Sequence, residues 1–313
     1  MDIKIAISQK PPVLLDLDAT YERAIETIAE AAGEGAKLIV FPEAYLPGYP
    51  TWIWRLKPGG DMVLGNTIHA LLRRNAVDIA AGGLDRLCEA AARHGVVIVM
   101  GLHEVDSAFS GSTLFNTVVV IDADGTLLNR HRKLMPTNPE RMVWGFGDAS
   151  GLRVVDTAVG RIGCMICWES YMPLARYALY AQNIDIYVAP TWDSGDIWHA
   201  TMNHIAREGG CWVLSTATAL TGSDIPRDFP DRDKLFSDGD EWINPGDAVV
   251  VKPFGGVVAG PLRREKGILY AAIDIEASRN ARKSLDVTGH YSRPDIFRLE
   301  VERRTKNPAE FLD

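Results

Sequence analysis

Arg161-Ile162-Gly163-Cys164-Met165-Ile166-Cys167 is a strand-length run of small and apolar residues, broken only at its first position. Trp168-Glu169-Ser170-Tyr171-Met172-Pro173 leads out of it into a helix predicted over about 173–182. Pro173 suits a helix start, where its missing N–H has no partner to lose. Residues 184–189 (Ile-Asp-Ile-Tyr-Val-Ala) read as the next strand. Strand, helix and strand in succession form a crossover unit, which places its two strands parallel in one sheet.

The same alternation extends in both directions. Residues 3–7 and 37–41 are short apolar strands. Between them Asp18-Ala19-Thr20 opens a helix with Ala24, Ile25, Ile28, Ala29 and Ala32 on one face, and Gly33 and Gly35 close it. A Pro- and Gly-rich loop covers 42–60. Helical sequence then runs through 84–93, stopping at His94-Gly95, and 96–101 is a buried strand. Residues 115–121 and 126–132 flank the turn Asp122-Ala123-Asp124-Gly125, as a hairpin does. Further strands are predicted at 152–156, 211–217, 248–252 and 268–275, with helices at about 198–208 and 276–285. A long polar loop is predicted over 221–246. Hairpins mixed with crossover units predict a layered α/β sandwich in preference to a purely parallel sheet. No repeat or linker divides residues 1–313, so a single domain is expected, with a short tail from about 296.

Composition narrows the function classes. The 313 residues suffice for a full hydrophobic core. The formal charge of −8 includes no basic stripe, so a nucleic-acid partner is not expected. Apolar runs such as 96–100 are far too short for a bilayer, and the N-terminus lacks a cationic start followed by an apolar signal core. The four cysteines at 88, 164, 167 and 211 form no secreted-style disulfide framework. A cytoplasmic enzyme that engages no membrane is the expectation.

Three reactive side chains share one feature, since each ends or follows a predicted strand. Glu43 follows Phe41-Pro42, Lys133 follows Arg130-His131-Arg132, and Cys167 ends the run quoted above. Strand ends along one sheet edge can converge on a pocket while the rigid sheet holds them. A free cysteine is commonly a small buried hydrophobe. At the start of a helix, however, a thiolate gains stability, and the thiolate is the nucleophile. Cys164 and Cys167 also make a C-x-x-C pair, but Cys164 lies inside the apolar strand. Neither a second pair nor nearby histidines complete a zinc site. Glu43 is either a surface carboxylate or a general base raised by burial. His94, His103, His131, His199, His204 and His290 are scattered and offer Cys167 no dyad partner. Tyr49, Trp52, Trp54, Trp144 and Trp192 suggest aromatic walls that suit aromatic or arylacetic groups and also accept aliphatic chains.

Phe41-Pro42-Glu43, the stretch His131-Arg132-Lys133-Leu134-Met135-Pro136-Thr137, and Cys167-Trp168-Glu169-Ser170-Tyr171-Met172-Pro173 resemble, in order, the three motifs of the nitrilase superfamily. Pro136-Thr137 followed by Glu140-Arg141, Cys167-Trp168-Glu169, Ala189-Pro190-Thr191-Trp192, and the segment from Asp286 to Asp295 resemble the nitrilase branch more than the amidase branches. The resemblance covers nearly the whole chain. It implies an α-β-β-α sandwich, a Glu43-Lys133-Cys167 triad, no cofactor or metal, and homo-oligomers of two or more copies. It also implies a second glutamate, Glu140, near the site, whose alternative role is to anchor Lys133 or its loop. Tyr49, Trp52, Trp54, Trp168, Glu169 and Trp192 are the residues expected to touch substrate. The implied reaction converts a small-molecule nitrile and water into a carboxylic acid and ammonia. Amidase, carbamoylase and cyanide hydratase chemistry are the alternatives within the superfamily, and a non-catalytic assembly protein is the alternative outside it. Asn138 departs from the histidine of many plant and fungal relatives, and the short tail disfavours long filaments.

Overall fold

The computed structural model describes residues 2–305 and 309. In chain order the strands are β1 (Ile3–Ser8), β2 (Leu38–Val40), β3 (Val97–Val105), β4 (Leu114–Ile121), β5 (Leu127–Arg132), β6 (Val154–Thr157) and β7 (Gly160–Cys164). They continue with β8 (Ile186–Pro190), β9 (Trp212–Thr216), β10 (Ala219–Thr221), β11 (Trp242–Val251), β12 (Val257–Arg263) and β13 (Ile268–Ile273). The helices are α1 (Leu17–Gly33), α2 (Met62–Arg74), α3 (Asp85–His94), α4 (Pro173–Tyr180), α5 (Asp196–Gly209), α6 (Arg232–Leu235) and α7 (Ile275–Ala281).

Two mixed sheets result. One has the order β13-β1-β2-β3-β4-β5. The other runs β10-β11-β9-β8-β7-β6, with β12 added against β11. Successive side chains of a strand point to opposite faces, so strands buried on both faces read as unbroken apolar runs. In the first sheet Ile5, Leu38, Val40, Val97, Val99, Val118 and Val120 meet Ile162, Cys164, Ile186, Val188 and Leu214 of the second. The intervening residues Ala6, Ile39, Ile98, Val119 and Ile121 face α1 and α3, through Ala24, Ile28, Leu87 and Ala91. Tyr187, Ala189 and Val213 likewise face α4 and α5, through Leu179, Trp198, Met202 and Ile205. The layers are therefore α-β-β-α.

Several elements differ from the sequence expectation. The helix predicted over 84–93 is α3, whereas α2 (Met62–Arg74), just after the Pro- and Gly-rich loop, was not anticipated. The predicted polar loop at 221–246 contains a 3-10 turn (Gly222–Asp224), α6 and the start of β11 at Trp242. Strand β12 was not anticipated, because Gly260 and Pro261 interrupt its run. Residues 297–305 form neither helix nor strand.

Candidate active site

Glu43, Lys133 and Cys167 come from both sheets and meet at one end of the sandwich. Glu43 follows β2. Its backbone crosses β3 at Gly101, where a Cβ would stand 2.2 Å from the carbonyl oxygen of Pro42 and 2.7 Å from the nitrogen of Ala44. Glycine is thus required on β3 for the Glu43 turn to lie that close. Lys133 follows β5 and has no exposed surface. Cys167 lies three residues beyond the end of β7, at the first position of a 3-10 helix (Cys167–Tyr171).

The Lys133 Nζ donates to Glu43 Oε1 at 2.8 Å and to Glu140 Oε2 at 2.7 Å. Asn116 on β4 also donates to Glu43 Oε1, at 2.6 Å. Among the described residues no group donates to the other Glu43 oxygen, Oε2, although it is buried. Glu140 sits in a 3-10 helix (Asn138–Met142) and is held from three sides: by Lys133, by the backbone N–H of Thr137 at 2.7 Å and by the Tyr49 hydroxyl at 2.7 Å. Two carboxylates therefore share one ammonium away from water. Burial raises Glu43 to about 7, with Glu140 adding to the rise and Lys133 opposing it. Burial alone would lower Lys133, but Glu43, Cys167 and Glu140 together hold it above the ordinary lysine range, so it stays charged.

Cys167 has φ of 55°, a left-handed conformation that a non-glycine residue adopts at a cost. Its sulfur accepts from the Thr191 hydroxyl at 3.2 Å. That hydroxyl in turn accepts from the backbone N–H of Asp193 at 2.8 Å. Burial, together with Glu43 and Glu140, pushes the thiol well above the ordinary cysteine range, against the pull of Lys133 and Thr191. The thiolate that a helix start would favour is opposed here by burial and by the two neighbouring carboxyl groups.

A cavity of about 170 Å³ opens above Cys167. Tyr49, Trp54, Trp168 and Trp192 form its aromatic sides, and Thr137, Glu140 and Asp193 complete it. Tyr49 lies flat on Trp192, ring centres 4.2 Å apart, and accepts from Trp54 Nε1 at 3.2 Å. Trp168 Nε1 donates to Asp193 at 2.8 Å. Cys164, by contrast, is buried between the sheets and borders no such cavity.

Two residues expected to touch substrate lie elsewhere. Trp52 is buried against Phe229, away from the Cys167 cavity. A 3-10 helix turns about 120° per residue, so Trp52 and Trp54 leave their shared turn (Thr51–Trp54) in different directions. Glu169 is 1% exposed and its oxygens are occupied by protein groups. One accepts from the backbone N–H of Leu134 at 2.6 Å, the other from that of Ile166 at 2.7 Å, and His131 Nε2 lies 3.0 Å away. Burial opposes its ionisation, but His131 and these two N–H groups hold Glu169 below the usual carboxylate range. It staples the segment after Lys133 to the turn before Cys167. Trp144 is a second-layer wall. Its Nε1 donates to His103 Nδ1 at 2.9 Å, while its ring stands 5.8 Å from Lys133 Nζ.

Asn116 and Thr191 were missed as site residues by sequence reasoning. The available signal was a polar side chain inside or just beyond an apolar strand, at Asn116 in 114–121 and Thr191 after 186–190.

Residues 4–283 match the carbon-nitrogen hydrolase family. The chain is 41% identical over 305 residues to an aliphatic nitrilase of Sinorhizobium fredii, spanning 97% of both proteins. It is 40% identical over 316 residues to a bifunctional nitrilase/nitrile hydratase of Nicotiana tabacum, covering 99% of this chain and 88% of that protein. Among solved structures, a carbon-nitrogen hydrolase from Helicobacter pylori superposes with a TM-score of 0.71 at 21% identity, covering 94% and 97% of the two chains. The NitFhit protein of C. elegans gives 0.73 at 21% identity, over 98% of this chain and 69% of its own. With a family match across most of its length and relatives alike in sequence from end to end, the chain belongs to the carbon-nitrogen hydrolases, enzymes that act on carbon–nitrogen bonds.

Proposed function

We propose that this protein is a nitrilase that converts an organic nitrile to the carboxylic acid and ammonia through a covalent intermediate on Cys167. The observation that carries the reading is the buried Glu43 oxygen, Oε2, without a hydrogen-bond donor, in a cluster whose ammonium is already shared by two carboxylates. That oxygen is free to take the proton of the Cys167 thiol.

Because the thiol resists ionisation, proton transfer to Glu43 accompanies formation of the S–C bond. The nitrile nitrogen then receives that proton, giving a thioimidate. Negative charge developing on nitrogen lies near the Lys133 ammonium, and a fixed cation in a dry site contributes a few kcal/mol to such a step. The first N–H groups of the Cys167–Tyr171 turn have no partner within that turn and add to this stabilisation. A water, its proton taken by Glu43, adds to carbon. The C–N bond breaks, ammonia leaves, and an acyl-thioester remains. A second water, activated in the same way, releases the acid and restores the thiol.

If the C–S bond of the first water adduct breaks before the C–N bond, an amide is released instead. The Nicotiana tabacum relative, named for both activities, favours testing for it. Exposed Leu174, Tyr291, Ile296 and Phe297 line one surface groove and support association of further copies over that face, since apolar side chains clustered on a surface are usually covered.

Cys167→Ala is the direct test. The variant should keep the wild-type melting temperature and release no ammonia from any nitrile, while intact mass of the wild type with substrate shows an adduct on the peptide holding Cys167. Turnover by the variant, or an adduct on Cys164, would overturn the assignment. Product analysis for acid against amide decides between the two fates of the adduct.

A further inference from the structure

A second cavity of about 210 Å³ adjoins the Cys167 cavity, and the two share Thr137 and Trp168 as common walls. Met135 and Met172 give it apolar sides, and Arg141 closes it. Arg141 follows Glu140 in the same 3-10 turn. At about 120° per residue, Glu140 enters the catalytic cluster while Arg141 looks into the neighbouring cavity. The Nε of Arg141 donates to the carbonyl oxygen of Pro136 at 3.1 Å, which fixes the guanidinium plane. No carboxylate among the described residues pairs with its two terminal nitrogens, in a chain whose net charge is −8. Glu169 also borders this space, but both its oxygens are taken up by Leu134, Ile166 and His131.

We propose that this second cavity is a subsite for an anionic group, and that the chain prefers nitriles carrying a carboxylate at the far end of a short apolar chain. The inference rests on the nitrile reading above. The nitrile carbon lies at Cys167, the methylenes pass Trp168 and Thr137 between the methionines, and the carboxylate reaches the Arg141 fork. A planar guanidinium with one edge held and the other open matches a carboxylate in two parallel hydrogen bonds. The first cavity alone holds little beyond the reacting group, so the remainder of a longer substrate enters the second.

The test compares ω-cyano-carboxylates of one to four methylenes with n-alkyl nitriles of equal length, by ammonia release from the full chain. The readout is the ratio of kcat/KM for the acid to that for its neutral partner. In the wild type this ratio should exceed one and peak at a single length, falling as salt is raised because Arg141 faces solvent. Arg141→Gln should lower the peak ratio about tenfold or more, the scale of a hydrogen bond between charged groups. Arg141→Lys, with charge but no fork, should restore part of it. General damage to the fold lowers both rates and leaves the ratio unchanged, and an unchanged ratio in Arg141→Gln would overturn the inference. A wild-type ratio at or below one at every length, with neutral nitriles turned over, overturns it and leaves nitrile hydrolysis standing. Failure to turn over either series overturns both readings.

Discussion

Replacing Glu169 with glutamine keeps its shape and changes one thing. The carboxylate accepts from two backbone N–H groups on opposite oxygens, at Leu134 and Ile166. An amide has one accepting end, so whichever way it turns, its NH2 faces one of those N–H groups. A charge-assisted hydrogen bond of about 1.5–3 kcal/mol is lost, and a buried N–H left unpaired costs about 1–3 kcal/mol more. A total near 3–5 kcal/mol follows. With an unfolding entropy of about 2.1 cal/mol/K per residue, this lowers the melting temperature of a chain this long by about 5–8 °C. The two bonds flank Lys133 and Cys167, so their loosening also misplaces ammonium against sulfur. A 1 Å error in such a site costs about 100-fold. Glu169→Gln should therefore lower kcat for a small neutral nitrile by one to two orders of magnitude with little change in KM, because the aromatic cavity is untouched. A thermal melt and steady-state ammonia release measure both effects. A variant within 2 °C and twofold of wild type would refute the staple.

Two further outcomes follow from the same cluster. Glu43, raised to about 7 by burial, must be ionised to act as base, so kcat/KM should fall about tenfold per pH unit below about 7 and level off above it. A flat pH profile from 5.5 to 8 would remove Glu43 from that role. Tyr49→Phe deletes the hydroxyl that donates to Glu140 and accepts from Trp54, so kcat/KM should drop about tenfold with KM rising as Trp54 loosens. Steady-state kinetics on an aromatic nitrile would show this, and unchanged constants would exclude the hydroxyl from shaping the site.

Glu43, Lys133 and Cys167 were legible because each ends or follows a predicted strand, and a strand end is a local signal. Their convergence depends on pairings such as β1 with β13 and β2 with β3, which are formed across long stretches of chain. The Tyr49 contact with Glu140 joins positions 91 apart, and no periodicity announces it. Trp52 and Trp54 look equivalent in a loop rich in proline and glycine; only the 3-10 turn separates one into the core and the other into the cavity. Glu169 reads as part of a reactive motif because it stands two places after Cys167, yet that spacing lets one oxygen reach back to the Ile166 N–H while the other accepts from Leu134, 35 residues earlier.

The charge balance of the cluster explains why a poor resting nucleophile is compatible with catalysis. Glu43 and Glu140 face a single Lys133, so the buried site sets two carboxyl groups against one ammonium. A resting thiolate at Cys167 would bring further negative charge there without water to offset it, and burial beside the two carboxyl groups accordingly raises the thiol. An arriving nitrile changes that balance. As the S–C bond forms, charge moves from sulfur onto nitrogen and the proton moves to Glu43, so no isolated thiolate has to be sustained. Glu140 is fixed by Thr137, Lys133 and Tyr49, which leaves Glu43 as the carboxylate with an open oxygen. Proton acceptor and charge anchor are thus divided between two glutamates by their hydrogen-bond partners.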